Sequence, residues 1–473
     1  MTLDSIDIDK TVAEVKRFLK EEKGLSPAFV ASMELLLVLV SLLINRLGLN
    51  SRNSSKPPSS DPNRPKVKKS AGEKKPGGQK GHDGTTLQQF LDPDCIEEIK
   101  LDRSTLPDGQ YKDAGYEARQ VVDIDILRVV TEYRAQVLED ENQKRYFAPF
   151  PEGVTRPVQY GTSVRAHAVY LSQYQLIPYA RLEEMFADQF QIPLSCGSIY
   201  NFNEDAYERL ELFESLAKEK LIHSPLIHAD ETGINIDGKR LWLHSASNER
   251  WTLFFPHNKR GSDAMDDIGI IPEFKGILCH DHWKPYFKYD CEHALCNAHH
   301  LRELERALEQ DDQQWAQEMQ TLLNEMNKAV NDAGGQLNIE TTANYKQKYR
   351  AILDQAQIEC PPPDENKRQG SRGRIKRSKS RNLLERLMDF EKETLRFLDD
   401  PLVPFTNNQG ENDIRMTKVQ QKISGCFRSR KGAAIFCRIR SYISTCRKNG
   451  IRASEALRLL FSGRLPDFLT SDR

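Results

Sequence analysis

Apolar residues near the amino terminus recur at alternating steps of four and three positions. This spacing is typical of a coiled coil, in which the apolar seams of two helices pack together. We therefore predict a helical region that joins copies of the chain into a homodimer or higher oligomer. The alternatives are a helix packed on its own domain and a membrane helix, for which the run is short, and we expect no membrane partner. The positions concerned are Phe29, Met33, Leu36, Val40, Leu43 and Leu47.

The next two segments differ in composition. Residues 51–90 are rich in Ser, Pro, Gly and Lys, a composition that cannot bury a core, and we predict a basic linker that tracks DNA. Alternating apolar residues at 121–125 and 128–135 predict strands of a small β module. Because this module contains only Cys95, it cannot form a zinc ribbon from its own side chains.

Residues 161–224 show helical spacing. The pattern predicts three short helices, the third capped by Ser195 or Ser198. Three short helices with tight turns are compatible with a helix-turn-helix DNA-binding domain. A small helical connector is the alternative.

From residue 225 onward the pattern predicts a sheet. An Asp237-Gly238 turn joins the first two strands. Three hairpin-linked strands followed by a helix and a strand is the order of a ribonuclease H-like core, in which the first and fourth strands are neighbours. The predicted strands are 226–230, 240–245, 250–255 and 276–279, with a helix near 263–270.

Together these patterns predict a multidomain α+β protein with a ribonuclease H-like α/β catalytic core. In chain order, the predicted parts are a leucine-zipper-like helical region at 1–50, the linker at 51–90, the β module at 91–160, the helical domain at 161–224, the catalytic domain at 225–460 with a helical insertion at about 305–395, and a tail at 461–473.

Three distant segments each supply a carboxylate: Asp230, Asp281 and Glu411. A two-metal site that cuts nucleic acid needs divalent cations about 3.5–4 Å apart, and Mg²⁺ takes hard oxygen ligands. We predict these acids as catalytic residues and metal ligands, with Mn²⁺ as a substitute for Mg²⁺. Glu231 is expected to point away from Asp230, since successive strand residues face opposite sides. Asp413, two residues beyond Glu411, is expected to point away from it on a helix.

Charge is balanced overall, at −1, but segregated. Residues 367–381 carry eight Lys or Arg and no acid, and residues 415–448 carry ten and no acid, which indicates a phosphate-rich partner. We predict DNA contacts by Arg374, Lys376 and Arg377, and by Arg415, Lys418 and Lys422, which share one helix face with Glu411. A solvated loop and an ordinary Glu–Arg helix pair are the alternatives.

Cysteine usage argues for a reducing compartment. Nine unevenly spaced cysteines do not form a disulfide framework, and the start of the chain lacks a signal-peptide pattern. A cytoplasmic, nucleoid-associated protein is expected. Cys291, Cys296 and His299 supply three zinc ligands at best, whereas a closed site needs four, so zinc is not expected.

Four motifs resemble those of insertion sequence 66 transposases, and the resemblance covers nearly the whole length. They are Asn-Ser-Ser-Lys-Pro-Pro-Ser-Ser-Asp at 53–61, Gly-Gly-Gln-Lys-Gly-His at 77–82, His-Ala-Asp-Glu-Thr at 228–232 and Asn-Asn-Gln-Gly-Glu-Asn-Asp-Ile-Arg at 407–415. The resemblance implies a DDE-type transposase, a metal-dependent polynucleotidyl transferase that binds and cuts element ends and joins them to target DNA.

The resemblance also implies the acidic triad Asp230, Asp281 and Glu411, and companion proteins of the same element as further partners. The module at 91–160 stands where the family has a zinc-binding domain, but lacks its paired cysteines. The alternatives to a transposase are a ribonuclease H-like nuclease without strand transfer and a non-catalytic DNA-binding remnant.

Overall fold

The computed structural model of the chain describes residues 2–3, 6–22, 24–47, 49–50, 52–54, 87–364 and 377–470. Contacts between residues divide the chain into two units. The first comprises Met1–Pro65, Phe150–Glu184 and Pro193–Arg473, and the second comprises Lys66–Pro149 and Met185–Ile192. Most of the linker predicted at 51–90 lies outside the described residues.

The amino-terminal region is helical, as predicted. Two short strands pair antiparallel before two helices: β1 (Thr2–Leu3), β2 (Ile6–Asp7), α1 (Ile8–Glu21) and α2 (Pro27–Leu47). On α2, Phe29, Leu36 and Leu43 of the proposed seam are about half exposed, while Leu37 is buried. Within the described ranges, no helix is both long and apolar enough to cross a membrane.

The second unit contains one small hairpin. Strands β3 (Val137–Glu139) and β4 (Arg145–Phe147) pair antiparallel. The prediction of strands at 121–125 and 128–135 is wrong, because neither segment is a strand in the structure. Val121 and Val129 are more than four-fifths exposed. Strand-like residue types alone do not form a sheet where no partner strand supplies cross-strand contacts.

The helical domain predicted at 161–224 is helical throughout most of its length. Its helices are α3 (Thr162–Val169), a π-helical turn (Tyr170–Tyr174), α4 (Tyr179–Phe190), α5 (Cys196–Arg209) and α6 (Glu211–Ile222). Ser195 caps α5, since its side chain accepts a hydrogen bond from the Ser198 backbone N–H at 3.1 Å. A fourth helix, α6, was not predicted.

A five-stranded sheet forms the centre of the first unit. Its strands are β5 (Leu226–Ile236), β6 (Lys239–Ser247), β7 (Thr252–His257), β8 (Ile277–His280) and β9 (Glu292–Leu295), and their order is β7-β6-β5-β8-β9. The first three pair antiparallel, whereas β5–β8 and β8–β9 pair parallel. Helix α7 (Ser262–Ile268) precedes β8. The predicted neighbours, the first and fourth strands, are therefore adjacent.

The turn between β5 and β6 follows the sequence prediction. Asp237 and Gly238 both have positive φ, at 50° and 73°, as the two central residues of a type I′ hairpin turn require. This turn sets the register in which β5 and β6 pair, and so which β5 side chains face the site described below.

A helical insertion follows the sheet. Its helices are α8 (Asn297–Asp311), α9 (Gln314–Asp332), α10 (Ile339–Glu359), α11 (Lys379–Asp389) and α12 (Glu391–Asp399). Trp315, Tyr349 and Leu387 belong to its buried core. The insertion was predicted at about 305–395, and its first two helices are separated at Asp312, which has a φ of 53°.

The carboxyl-terminal helices are α13 (Asn408–Ser424), α14 (Arg430–Lys448) and α15 (Ala453–Phe461). Of these, α14 packs against the edge strand β7 and α13 packs against β5 and β6. The α14 hydroxyls of Ser441 and Thr445 accept hydrogen bonds from the β7 N–H groups of Phe254 and Thr252, at 2.9 and 3.1 Å. These contacts satisfy the outer edge of the sheet, which would otherwise be open to further pairing.

Candidate active site

The register of two parallel strands brings Asp230 and Asp281 together. The last parallel pair between β5 and β8 is His228 with Cys279, and each Asp lies two residues beyond its member of that pair. Neighbouring strands are about 4.8 Å apart. The two carboxylates therefore leave the sheet side by side, at the point where the parallel pairing ends.

Asn407 attaches the start of α13 to the same point of β5. Its Oδ1 accepts a hydrogen bond from His228 Nδ1 at 2.7 Å, and its Nδ2 donates to the Ala229 carbonyl at 2.9 Å. A Cβ at Gly410 would lie 3.1 Å from the Asn407 amide, so glycine at this position leaves room for the Asn407 side chain and its two hydrogen bonds. Glu411 lies in the first turn of α13, close enough to Asp230 for its charge to raise the pKa of that acid.

The electrostatics of the pocket reflect this convergence. Burial raises the pKa of Asp230 well above its ordinary value, and the charges of Glu231, Asp281 and Glu411 raise it further. Burial is also the main cause that raises the pKa of Asp281 to about 6, followed by the charge of Glu231. Neither Asp has an ion-pair partner within 4.0 Å among the described residues. The pocket thus concentrates negative charge that a bound cation would neutralise.

Glu231, next to Asp230, has a different environment. Its side chain is 2% exposed and forms an ion pair with Arg260 at 2.5 Å, while Tyr286 donates a hydrogen bond to its Oε2 at 2.7 Å. Arg260 lies over the rings of Trp242 and Trp283, at 4.9 and 4.2 Å from their centroids. Both oxygens of Glu231 are therefore already engaged.

Asp413, the other competing acid, is also engaged elsewhere. Lys448 of α14 donates a hydrogen bond to its carboxylate at 2.7 Å. This ion pair joins α13 to α14 rather than adding a ligand to the acid pocket.

The family of the chain follows from a match to a known family profile. The profile of the transposase IS66 family matches residues 157–435, more than half of the chain. The chain belongs to the IS66 family of transposases. A second profile, for a family of unknown function (DUF6444), matches residues 5–88. No curated protein matches the chain.

Cationic groups flank the acid pocket of this transposase-family chain. Lys418 donates a hydrogen bond from Nζ to the Gly233 carbonyl of β5 at 2.8 Å. Burial, and then the charge of Arg240, lowers the pKa of Lys418, while the charge of Asp230 raises it. Arg302 of α8 reaches Glu411 at 3.5 Å. Of the other predicted α13 contacts, Arg415 and Lys422 are exposed.

The predicted basic loop is only partly described. Arg374 and Lys376 lie outside the described residues. Arg377 forms an ion pair with Glu385 of α11, so its charge is already compensated within the protein. Contact of these three residues with DNA stays a prediction.

Cys291, Cys296 and His299, which the sequence analysis considered together as zinc ligands, do not form one group in the structure. Cys291 Sγ lies 4.0 Å from His293 Nε2. Cys296 and His299 instead converge with Glu411. Sequence reasoning did not identify Asn407 or Arg260 as site residues, although Asn407 stands at the start of the motif that identified Glu411.

Proposed function

We propose that this chain is a DDE-type transposase that binds the ends of an insertion element, cleaves DNA by two-metal phosphodiester chemistry and joins the 3′ ends to target DNA. The proposed grouping of Asp230, Asp281 and Glu411 carries this proposal, and the charges of Asp281 and Glu411, which both raise the pKa of Asp230, support it. The strand order β7-β6-β5-β8-β9, which is that of a ribonuclease H-like core, supports it.

The donor set suits Mg²⁺, with Mn²⁺ as a substitute. Asp230, Asp281 and Glu411 offer only oxygen ligands, which hard divalent cations prefer, and the raised pKa values of the two Asp residues reflect charge that a cation would neutralise. When bound, a pair of such ions supplies charge stabilisation at the attacking and leaving oxygens of the phosphodiester.

The residues of the chain have positioning roles in this proposal. Asp230, Asp281 and Glu411 would hold the ions, and Asn407 attaches the start of α13, which carries Glu411, to β5. No protein nucleophile is proposed, because phosphoryl transfer depends mainly on positioning and charge stabilisation. Water attacks in strand cleavage, and the freed 3′ hydroxyl of the element attacks the target strand.

Positive side chains around the acids support DNA as the partner. Lys418 lies beside Asp230, and Arg415 and Lys422 extend the same face of α13 into solvent. Arg302 of α8, which reaches Glu411 at 3.5 Å, lines a pocket of about 330 Å³ together with residues of α11 and of the segment 49–54. We propose that these groups contact the phosphates that flank the scissile bond.

A second copy of the chain is the proposed partner of α2. Phe29, Leu36 and Leu43 follow the coiled-coil spacing and are 49%, 51% and 59% exposed. Burial of this seam in a homodimer or higher oligomer would place two catalytic pockets in one complex, as the joining of two element ends requires. Light scattering on the wild type and on Leu36→Glu tests this assignment, and equal masses would contradict it.

A cleavage and joining assay on the DNA that flanks this gene tests the main proposal. We expect Mg²⁺-dependent nicking at the element ends and joining of labelled end DNA to a plasmid. Glu411→Gln should lower the rate about a thousandfold, because metal-ion catalysis supplies several kcal/mol. Glu318→Gln, which changes an exposed acid of α9, is the matched control.

Two results would contradict the proposal. Cleavage without joining would indicate a ribonuclease H-like nuclease. DNA binding without cleavage by the wild type would indicate a non-catalytic remnant. Full cleavage by Glu411→Gln would refute the assignment of the third acid.

A further inference from the structure

A second set of ligand atoms lies directly beside the acid pocket. The Sγ of Cys296, a ring nitrogen of His299 and a carboxylate oxygen of Glu411 all lie within 4.8 Å of one another. Thiolate and imidazole are poor ligands for Mg²⁺ but are preferred by Zn²⁺ and related ions. The set therefore differs in chemistry from the three acids, although both sets contain Glu411.

Two helix starts build this cluster. Cys296 is the N-cap of α8, and His299 lies three positions later, so their side chains share one face of the helix. The Asn407 N–H donates a hydrogen bond to Cys296 Sγ at 3.1 Å. Since Asn407 also positions the first turn of α13, the same residue brings the sulfur and the Glu411 carboxylate together.

His299 presents a nitrogen that has no other role. Its Nδ1 is buried and has no hydrogen-bond partner among the described residues, and it lies 3.8 Å from Glu411 Oε1. A buried polar atom without a partner is costly, and coordination of a metal would satisfy it. This nitrogen is the observation that distinguishes the cluster from a chance grouping of polar side chains.

We propose that Cys296, His299 and Glu411 bind a divalent cation of the zinc class, and that this ion inhibits the enzyme by holding Glu411 away from Asp230 and Asp281. Three protein ligands leave a fourth position open to water. Binding replaces the thiol proton of Cys296, which passes to solvent, with a sulfur–metal bond. The inhibitory role rests on the proposed function, whereas the binding site does not.

Arg302 limits the affinity of this site. Its guanidinium lies 3.5 Å from Glu411 Oε1, so a cation must displace this contact and accept a positive neighbour. We therefore expect reversible binding that responds to the free metal concentration, rather than a permanent structural ion.

Cobalt(II) is the probe of choice for the site. Added to the full-length protein, it should produce a thiolate-to-cobalt charge-transfer band that saturates at one equivalent. Cys296→Ser should abolish the band, and His299→Gln should weaken binding. Cys291→Ser is the matched control, because this half-buried cysteine lies near His293 instead, and it should keep the band. A folded wild type without the band, or a band that persists in Cys296→Ser, would overturn the proposal.

A second experiment tests inhibition. Zn²⁺ added to the Mg²⁺-dependent cleavage reaction should inhibit the wild type, with each variant compared with its own zinc-free rate. Cys296→Ser should need about a hundredfold more Zn²⁺ for half inhibition, since loss of a direct ligand costs at least as much as loss of an outer partner. Equal inhibition of both proteins would refute the inhibitory role. A cobalt band in a protein that never cleaves DNA would instead refute the proposed function and leave the site standing.

Discussion

Adjacent residues of one strand place their carboxylates in opposite electrostatic situations. Glu231 is buried but neutralised, because Arg260 and Tyr286 engage both of its oxygens. Asp230, one position earlier, has no ion-pair partner among the described residues, and its pKa is raised well above the ordinary value. Asp281 shares this situation.

The difference separates a carboxylate whose charge is compensated within the protein from one whose charge is not. A paired buried acid ties together the elements around it, here β5, the segment between β7 and α7 that carries Arg260, and the segment after β8 that carries Tyr286. Unpaired buried acids in contact destabilise the fold, and they persist where a ligand supplies the missing charge. The contrast predicts that removing the unpaired acid Asp230 stabilises the metal-free protein, whereas removing Arg260, the cation that pairs with Glu231, destabilises it.

The largest expected effect is on catalysis. Asp230→Asn should lower metal-dependent cleavage at least about a thousandfold, while it raises the thermal stability of the metal-free protein, because it removes a buried charge that repels Asp281. Cleavage kinetics and thermal unfolding without metal measure the two effects. A variant that is both inactive and less stable than wild type would show that Asp230 has a structural role like that of Glu231.

Breaking the paired set should have the opposite effect on stability. Arg260→Met leaves Glu231 buried without its cation and should destabilise the protein by about 3–5 kcal/mol. The double variant Glu231→Gln, Arg260→Met should recover most of this loss. Denaturant unfolding of the four proteins of this cycle gives the coupling energy, and additive effects would contradict a pairing of the two side chains.

The raised pKa of Asp281 should make the free energy of unfolding depend on pH. Its pKa is about 6 in the folded protein against an ordinary 3.8, so the folded state holds this proton more tightly than the unfolded chain. The resulting stabilisation is present below about pH 4 and is lost as the pH rises through about 6. A shift of this size corresponds to as much as about 3 kcal/mol.

The comparison of wild type with Asp281→Asn isolates this contribution from other titrating groups. The stability of the metal-free wild type relative to Asp281→Asn should fall between pH 4 and 6, and saturating Mg²⁺ at neutral pH should restore it. A constant difference across this range, measured by denaturant unfolding, would contradict the raised pKa.

The parts that the sequence predicts correctly are those encoded by local patterns. Alternating residues and the Asp237-Gly238 turn defined the antiparallel strands, and the expected neighbours β5 and β8 followed from strand order. The assignment of Glu411 as the third acid stays a prediction, although Asn407 and Gly410 of its local motif have a steric reason to occur together.

The parts that failed or were missed depend on tertiary contacts. The pairing of Glu231 with Arg260 joins residues far apart in sequence, and the grouping of Cys296 and His299 with Glu411 requires α8 and α13 to meet. The predicted strands at 121–125 and 128–135 show the converse, since suitable residue types found no partner strand. The residue pattern specifies local conformation, whereas the tertiary structure determines which distant residues and strands contact one another.

The smallest expected effect tests whether the unpaired acids, rather than the paired one, face DNA. Lys418 lies on the side of Asp230, with its Nζ on the Gly233 carbonyl, and the proposed phosphate contact predicts that Lys418→Ala reduces the salt slope of DNA binding by about one. Lys346→Ala is the control, because Asp399 already neutralises this lysine at 2.8 Å. Titrations at several salt concentrations measure the slope. If both variants change the salt slope equally, Lys418 contributes only to the overall charge of the protein. The proposal that the DNA backbone lies against the side of the sheet that bears Asp230 would then be contradicted.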